Sequence, residues 1–197
     1  MPRFTRAELM SFHGAAVPDL VGPGVRLVFV GINPGLMTAA TQIHFGNPGN
    51  RFRPALVGAG LLEPPVDGRA GMTEDDLASL VSRRVGITNL VPFATARADE
   101  LTRAQLLAGR TRLEGLVERH HPKVVAMLGI TAYRVAFERP RATTGRQPES
   151  LGEARLWVVP NPSGLNAHET IASLATAYAE PARAAGIDLH PFAVGGA

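Results

Sequence analysis

Four short apolar runs constrain the fold more than any other feature of this chain: 26–30 (RLVFV), 87–91 (ITNLV), 123–128 (KVVAML) and 156–159 (LWVV). Each is mostly apolar rather than alternating, the pattern of strands buried on both faces. The stretches between them have helical character. Residues 50–59 follow a turn, and Pro54 must lie near that helix start to be tolerated. Residues 77–84 are short and amphipathic. Residues 103–120 open on Thr102-x-x-Gln105 and stop at His121-Pro122. Residues 131–137 and 167–180 complete the set, with Pro181 ending the last. Strands separated by helices imply right-handed crossovers. The expected fold class is therefore α/β: three layers, α/β/α, around a central, mostly parallel four-stranded sheet.

Organisation follows from punctuation. Residues 1–24 read as an N-terminal extension with a short helix capped by Thr5-x-x-Glu8, broken by Pro18, Gly22, Pro23 and Gly24. Residues 25–192 read as a single domain and 193–197 as a frayed tail. The polar, basic segment 138–154 (ERPRATTGRQPESLGEA) is expected to be a mobile loop.

Composition narrows the function classes. With 45% hydrophobic and 19% charged residues among 197, the balance is that of a globular chain rather than a disordered one. No apolar run is long enough to span a bilayer, and the first eight residues lack a signal-peptide core, so a cytoplasmic protein without a membrane partner is expected. The absence of cysteine excludes disulfides, zinc–thiolate sites and iron–sulfur clusters. No carboxylate or histidine spacing suggests a metal. A net charge of +3, carried almost wholly by arginine with Lys123 the only lysine, permits a phosphate-backbone partner without requiring one.

In such sheets ligands bind outside the carboxyl ends of the strands. Two stiff Asn-Pro loops fall there: Gly31-Ile32-Asn33-Pro34-Gly35 after the first run and Asn161-Pro162-Ser163-Gly164-Leu165-Asn166 after the last. An amide at a rigid strand end can orient a water molecule, although it cannot deprotonate one at neutral pH. Taken singly, Asn33 is better explained as closing a turn. Leu165 is unusual as a large apolar residue among Pro, Ser and Gly; burial under a helix and insertion into a base stack both fit it.

Read together with Phe45–Phe52 (FGNPGNRF), these loops form an ordered set, GINPG, F-x-x-P-x-N-R-F and NPSGL. The set resembles the mismatch-specific uracil-DNA glycosylase and thymine-DNA glycosylase family of the uracil-DNA glycosylase superfamily, from about Arg26 to about Tyr178. The resemblance implies a uracil-DNA glycosylase-like fold. It also implies a monofunctional, cofactor-free enzyme that hydrolyses the N-glycosidic bond of uracil, or of other altered pyrimidines, opposite guanine. Its partner would be double-stranded DNA, its state a monomer, and its product an abasic site for base excision repair.

By the same resemblance Asn33 positions the attacking water, Phe45 stacks on the extruded base, and backbone groups of Ile32 and Phe45 bond the pyrimidine edge. Asn161 lines the pocket. Ser163, Gly164, Leu165 and Asn166 fill the vacated space and touch the widowed guanine, with Leu165 as the wedge. The chain departs from the family at Arg53, where tryptophan is common, and at Asn166-Ala167, where Ser-Arg is common. In 96–100 (ARADE), Asp99 stands where relatives can carry asparagine. A carboxylate there is a candidate second catalytic group; the plainer alternatives are pairing with Arg97 and capping the turn before the helix at Thr102. The competing function is a binder of mispaired or damaged DNA with weak turnover or none.

Overall fold

A computed structural model describes residues 4–47, 49–65, 71–164 and 168–190. Its five strands are β1 (Leu27–Gly31), β2 (Val85–Asn89), β3 (Val124–Leu128), β4 (Gly145–Leu151) and β5 (Ala154–Val159). They form one sheet in the order β2-β1-β3-β5-β4. The first four strands of that order pair in parallel, and β4 runs antiparallel to β5 at the edge. Each of the four apolar runs contributes to a strand, although β2 begins two residues before its run and ends at Asn89, leaving Leu90 and Val91 beyond it. Every residue of β1, β2 and β3 is buried.

The helices are α1 (Arg6–Met10), α2 (Leu36–Thr41), α3 (Phe52–Gly58), α4 (Glu74–Ser82), α5 (Arg103–His120), α6 (Ile130–Ala136) and α7 (Ile171–Ala185). Strand alternation divides the core into two. Leu27, Phe29, Ile87, Ala126 and Trp157 face α3, α4 and α7. Val28, Val30, Val125, Met127 and Val158 face α5 and α6. This is the expected three-layer arrangement.

Three sequence expectations need correction. The sheet has five strands, because 138–154 is not simply a loop: Gly145–Leu151 is the antiparallel edge strand. Its inward positions, Gln147 and Leu151, alternate with exposed ones, and Pro148 sits where the register slips. An edge bulge is where a strand tolerates proline. Next, Pro181 does not end α7, which runs on to Ala185 and stops at Gly186 in the left-handed region. Burial of Pro181, Ala182 and Ala185 outweighs the one backbone bond that proline removes. Finally, α2 follows the first Asn-Pro loop, where no helix was expected.

The capping boxes at Thr5/Glu8 and Thr102/Gln105 both form. The chain after α1 lies along β2 and its following loop, through bridges Ala16–Phe93 and Leu20–Ile87. Residues 193–197 lie outside the described residues. No described helix is long and apolar enough to cross a membrane.

Candidate active site

Four parallel strands end on one side of the sheet, and a cavity of about 410 Å³ opens there. Gly31, Asn89 and Leu128 line it from the ends of β1, β2 and β3, and Asn161 lines it just beyond β5. β1 lies between β2 and β3, so the chain reverses its direction of winding beside β1. Open α/β sheets bind ligands at such a reversal, and the volume is within the range of small-molecule sites.

Asn33 is held by its amide nitrogen. Nδ2 donates to Thr95 Oγ1 at 2.7 Å, to the Pro34 carbonyl at 3.1 Å and to the Phe93 carbonyl at 3.4 Å. The Thr95 hydroxyl gives its own proton to the Arg97 carbonyl at 2.7 Å, so toward Asn33 it can only accept. Three acceptors around one nitrogen fix the orientation of the amide. Oδ1 has no protein partner among the described residues, and it is the acceptor that a cavity-lining residue offers to a ligand or water. Thr95, 5% exposed, is thus the support that sequence reasoning missed.

Asn89 was missed too. It ends β2, is 5% exposed and lines the cavity, yet its side-chain amide has no hydrogen-bond partner among the described residues. The amide is not among the buried side-chain atoms left without a partner, so it meets solvent in the cavity and is available there to a ligand that offers a donor and an acceptor. Gly31 makes the room: a Cβ there would stand 2.4 Å from Asn89 Oδ1 and 3.5 Å from Phe45 Cζ. The backbone of Asn89 is fixed from behind. Arg112 donates to its carbonyl at 2.9 Å and pairs with Asp19, which also accepts from Thr88.

Phe45 stands beside them. Its ring lies 4.1 Å from that of Phe52, which packs in turn on Phe29 and Tyr178. One side is braced by the core while the residue lines the cavity. Its φ of 54° is strained for an aromatic residue, a strain that clusters at functional positions. The N–H groups of Ile32 and Phe45 take no protein acceptor among the described residues. Neighbouring His44 is buried, with Nε2 at 3.0 Å from the Pro18 carbonyl. Burial holds its pKa below the ordinary 6.5, although that carbonyl and Asp19 act the other way.

Asn161 and Ser163 also line the cavity. Asn161 Oδ1 accepts from Ser163 N–H at 2.9 Å, the turn-closing role common for asparagine. Gly164 is described but is not among the lining residues; Leu165 and Asn166 lie outside the described residues. Asp99 is not brought to the cavity. It sits in a 3-10 turn, Ala98–Glu100, with its side chain 66% exposed and bonded by both oxygens to Arg97 at 2.6 and 2.9 Å. That guanidinium lowers the pKa of its carboxyl, making it a weaker base. Of the plainer alternatives, pairing with Arg97 is what the fold contains.

Arg53, where tryptophan is common in the resembled family, is buried in α3. It forms an ion pair with Asp76 of α4 at 2.7 Å. It ties two helices together and does not reach the cavity lining. Among the described residues no group of three or more His, Cys, Asp or Glu could hold a metal.

Comparison with known proteins bears on the fold and the family. The chain is similar to the solution NMR structure of a proposed uracil DNA glycosylase from Methanosarcina acetivorans, with a TM-score of 0.52 and 17% identity. The match covers 83% of this chain and 97% of that one, and at such identity it bears on the fold alone. A family model, by contrast, matches residues 18–181, most of the sequence, and from that match the chain belongs to the Uracil DNA glycosylase superfamily.

Proposed function

We propose that this protein is a monofunctional DNA glycosylase that hydrolyses the N-glycosidic bond of uracil mispaired with guanine in double-stranded DNA, leaving an abasic site for base excision repair. Family membership supports uracil-glycosylase chemistry on DNA. The observation that carries the mechanism is the pair of amides at the ends of β1 and β2, each open to one cavity.

Chemically the pair suffices. Uracil leaves as a delocalised anion and the sugar becomes cation-like, so little proton abstraction precedes bond cleavage. Asn33 Oδ1 accepts a hydrogen from water and holds its oxygen toward C1′, while the dipole of the same carbonyl favours the positive sugar. Asn89 presents a donor beside an acceptor, the complement of a pyrimidine O4 and N3–H. The N–H groups of Ile32 and Phe45 face the remaining carbonyl charge. Phe45 stacks on the base, an interaction typically worth about 1–3 kcal/mol. Extrusion of the nucleotide from the helix is required, since the target atom is unreachable in a duplex.

Strand cleavage by a lysine imine is disfavoured by position. Lys123, the only lysine, precedes β3 at the opposite end of the sheet. Preference for guanine as the opposite base rests on the loop after β5. There Ser163 and Gly164 lead into Leu165 and Asn166, to which we assign the wedge and the contacts with the widowed base.

The test is a duplex with one U·G pair, end-labelled on the uracil strand, with excess protein followed by alkali. Cleavage at the uracil is expected, with slower cleavage of U·A. Retardation of the duplex without cleavage would replace this reading with a damage-binding protein. Equal rates on U·G and U·A would remove the mismatch preference.

A further inference from the structure

Arg51, the arginine of the FGNPGNRF stretch, joins the two loops that the mechanism assigns to opposite strands of the duplex. It is the residue that opens α3, six positions after Phe45. Its backbone N–H donates to the Pro162 carbonyl at 2.9 Å. One guanidinium nitrogen, Nη2, donates to the Ser163 carbonyl at 2.6 Å, and the other, Nη1, donates to the Glu169 carbonyl. A single side chain thus grips the last loop at two points six residues apart. The loops also touch directly, since a Cβ on Gly164 would lie 2.6 Å from the Gly49 carbonyl oxygen. From the far side, the Tyr178 hydroxyl donates to the Pro160 carbonyl at 3.0 Å.

We infer that Arg51 is a positioning residue that holds the Pro162–Ser163–Gly164 corner in register with the base-stacking Phe45, and so sets how well the protein recognises an emptied position opposite guanine. This rests on the proposed glycosylase reading. A guanidinium is suited to the task because its rigid fork satisfies two carbonyls at once, which the single ammonium of lysine does not. Neither carbonyl reports on base identity; the effect is on the geometry of the loop.

The test uses the full-length protein with Arg51→Ala and Arg51→Lys. Fluorescence anisotropy gives the affinity of each for two duplexes differing at one position: a tetrahydrofuran abasic analogue opposite guanine, or a normal C·G pair. Both affinities come from one preparation, so any misfolded fraction cancels in their ratio. The ratio in favour of the abasic duplex should fall at least about tenfold in Arg51→Ala, the scale of one charged hydrogen bond. Affinity for the paired duplex should stay within about threefold, as expected when binding is dominated by many phosphate contacts.

Arg51→Lys keeps the charge and should still lose most of the ratio, and it carries the test if the alanine variant does not fold. A wild-type ratio preserved in the variants, whatever the change in melting temperature, would reduce Arg51 to a brace of the fold and overturn the inference. A wild-type protein that releases no uracil and shows no abasic preference would instead overturn the glycosylase reading beneath it.

Discussion

Thr95 is the least conspicuous residue of the site and gives its sharpest test at the residue scale. Replacing it with valine removes the hydroxyl that accepts from Asn33 Nδ2 while keeping the shape of the side chain. Uracil release under single-turnover conditions should slow by about ten- to a hundredfold, the range for removing one organising hydrogen bond near the reacting atoms. Asn89→Ala should lose both release rate and apparent affinity, because in the proposed mechanism its amide meets the base before and during cleavage. Asp99→Asn should cost less than about tenfold, since its exposed carboxylate is bonded to Arg97 and weakened as a base by it. A loss as large as that of Thr95→Val would return Asp99 to the catalytic group.

At this scale the sequence was half legible. Asn33 and Phe45 stand in loops whose Gly and Pro announce a turn at a strand end. Asn89 sits inside GITNLV, whose apolar neighbours hide an amide at the same structural position. Asn33 stands beyond the end of its apolar run, where a polar side chain shows in the sequence, whereas Leu90 and Val91 continue the run past Asn89. Thr95 gave no signal, because its part depends on a contact 62 residues away.

At the scale of elements, the buried Arg53–Asp76 pair couples α3 to α4. Burial alone raises the Asp76 pKa, but bonds from Arg53 and Thr73 reverse this and leave it below its ordinary value. Asp76→Asn should therefore lower stability by about 3–5 kcal/mol in denaturant titration, the cost of stranding one buried partner. The native fraction should keep its rate of uracil release, because neither residue lines the cavity.

The elements that were easy to read are those whose burial is written locally. α5 was expected over 103–120 and runs from Arg103 to His120, between the Thr102 capping box and a left-handed His121. β4 was not legible, because an edge strand needs to bury only one face and Gln147 occupies an inward position. α7 outran Pro181 because tertiary burial at its end exceeds the local penalty.

Across the whole molecule, proton uptake couples to stability through His44. Its folded pKa is depressed by burial, so the unfolded chain binds a proton that the native state refuses. The contribution is fully present above the ordinary value of 6.5 and is lost progressively as pH falls below it toward the folded value. The melting temperature should fall more steeply between about pH 7 and about pH 5.5 for the wild type than for His44→Gln, which keeps a donor for Pro18 without titrating there. Parallel slopes would show that His44 is not the group involved. DNA affinity should weaken with salt in a log–log line, as for any binder that displaces counterions from phosphate.

The most direct measurement of the mechanism is the saturating single-turnover rate on a U·G duplex for wild type and Asn33→Ala. In the proposed mechanism the side chain that orients water is not the one that holds the base. The rate should therefore drop by at least about a hundredfold while the protein concentration giving half the maximal rate stays nearly constant. A variant that releases uracil within about fivefold of the wild-type rate would show that water is directed from elsewhere, and the role given to the amide after β1 would be wrong.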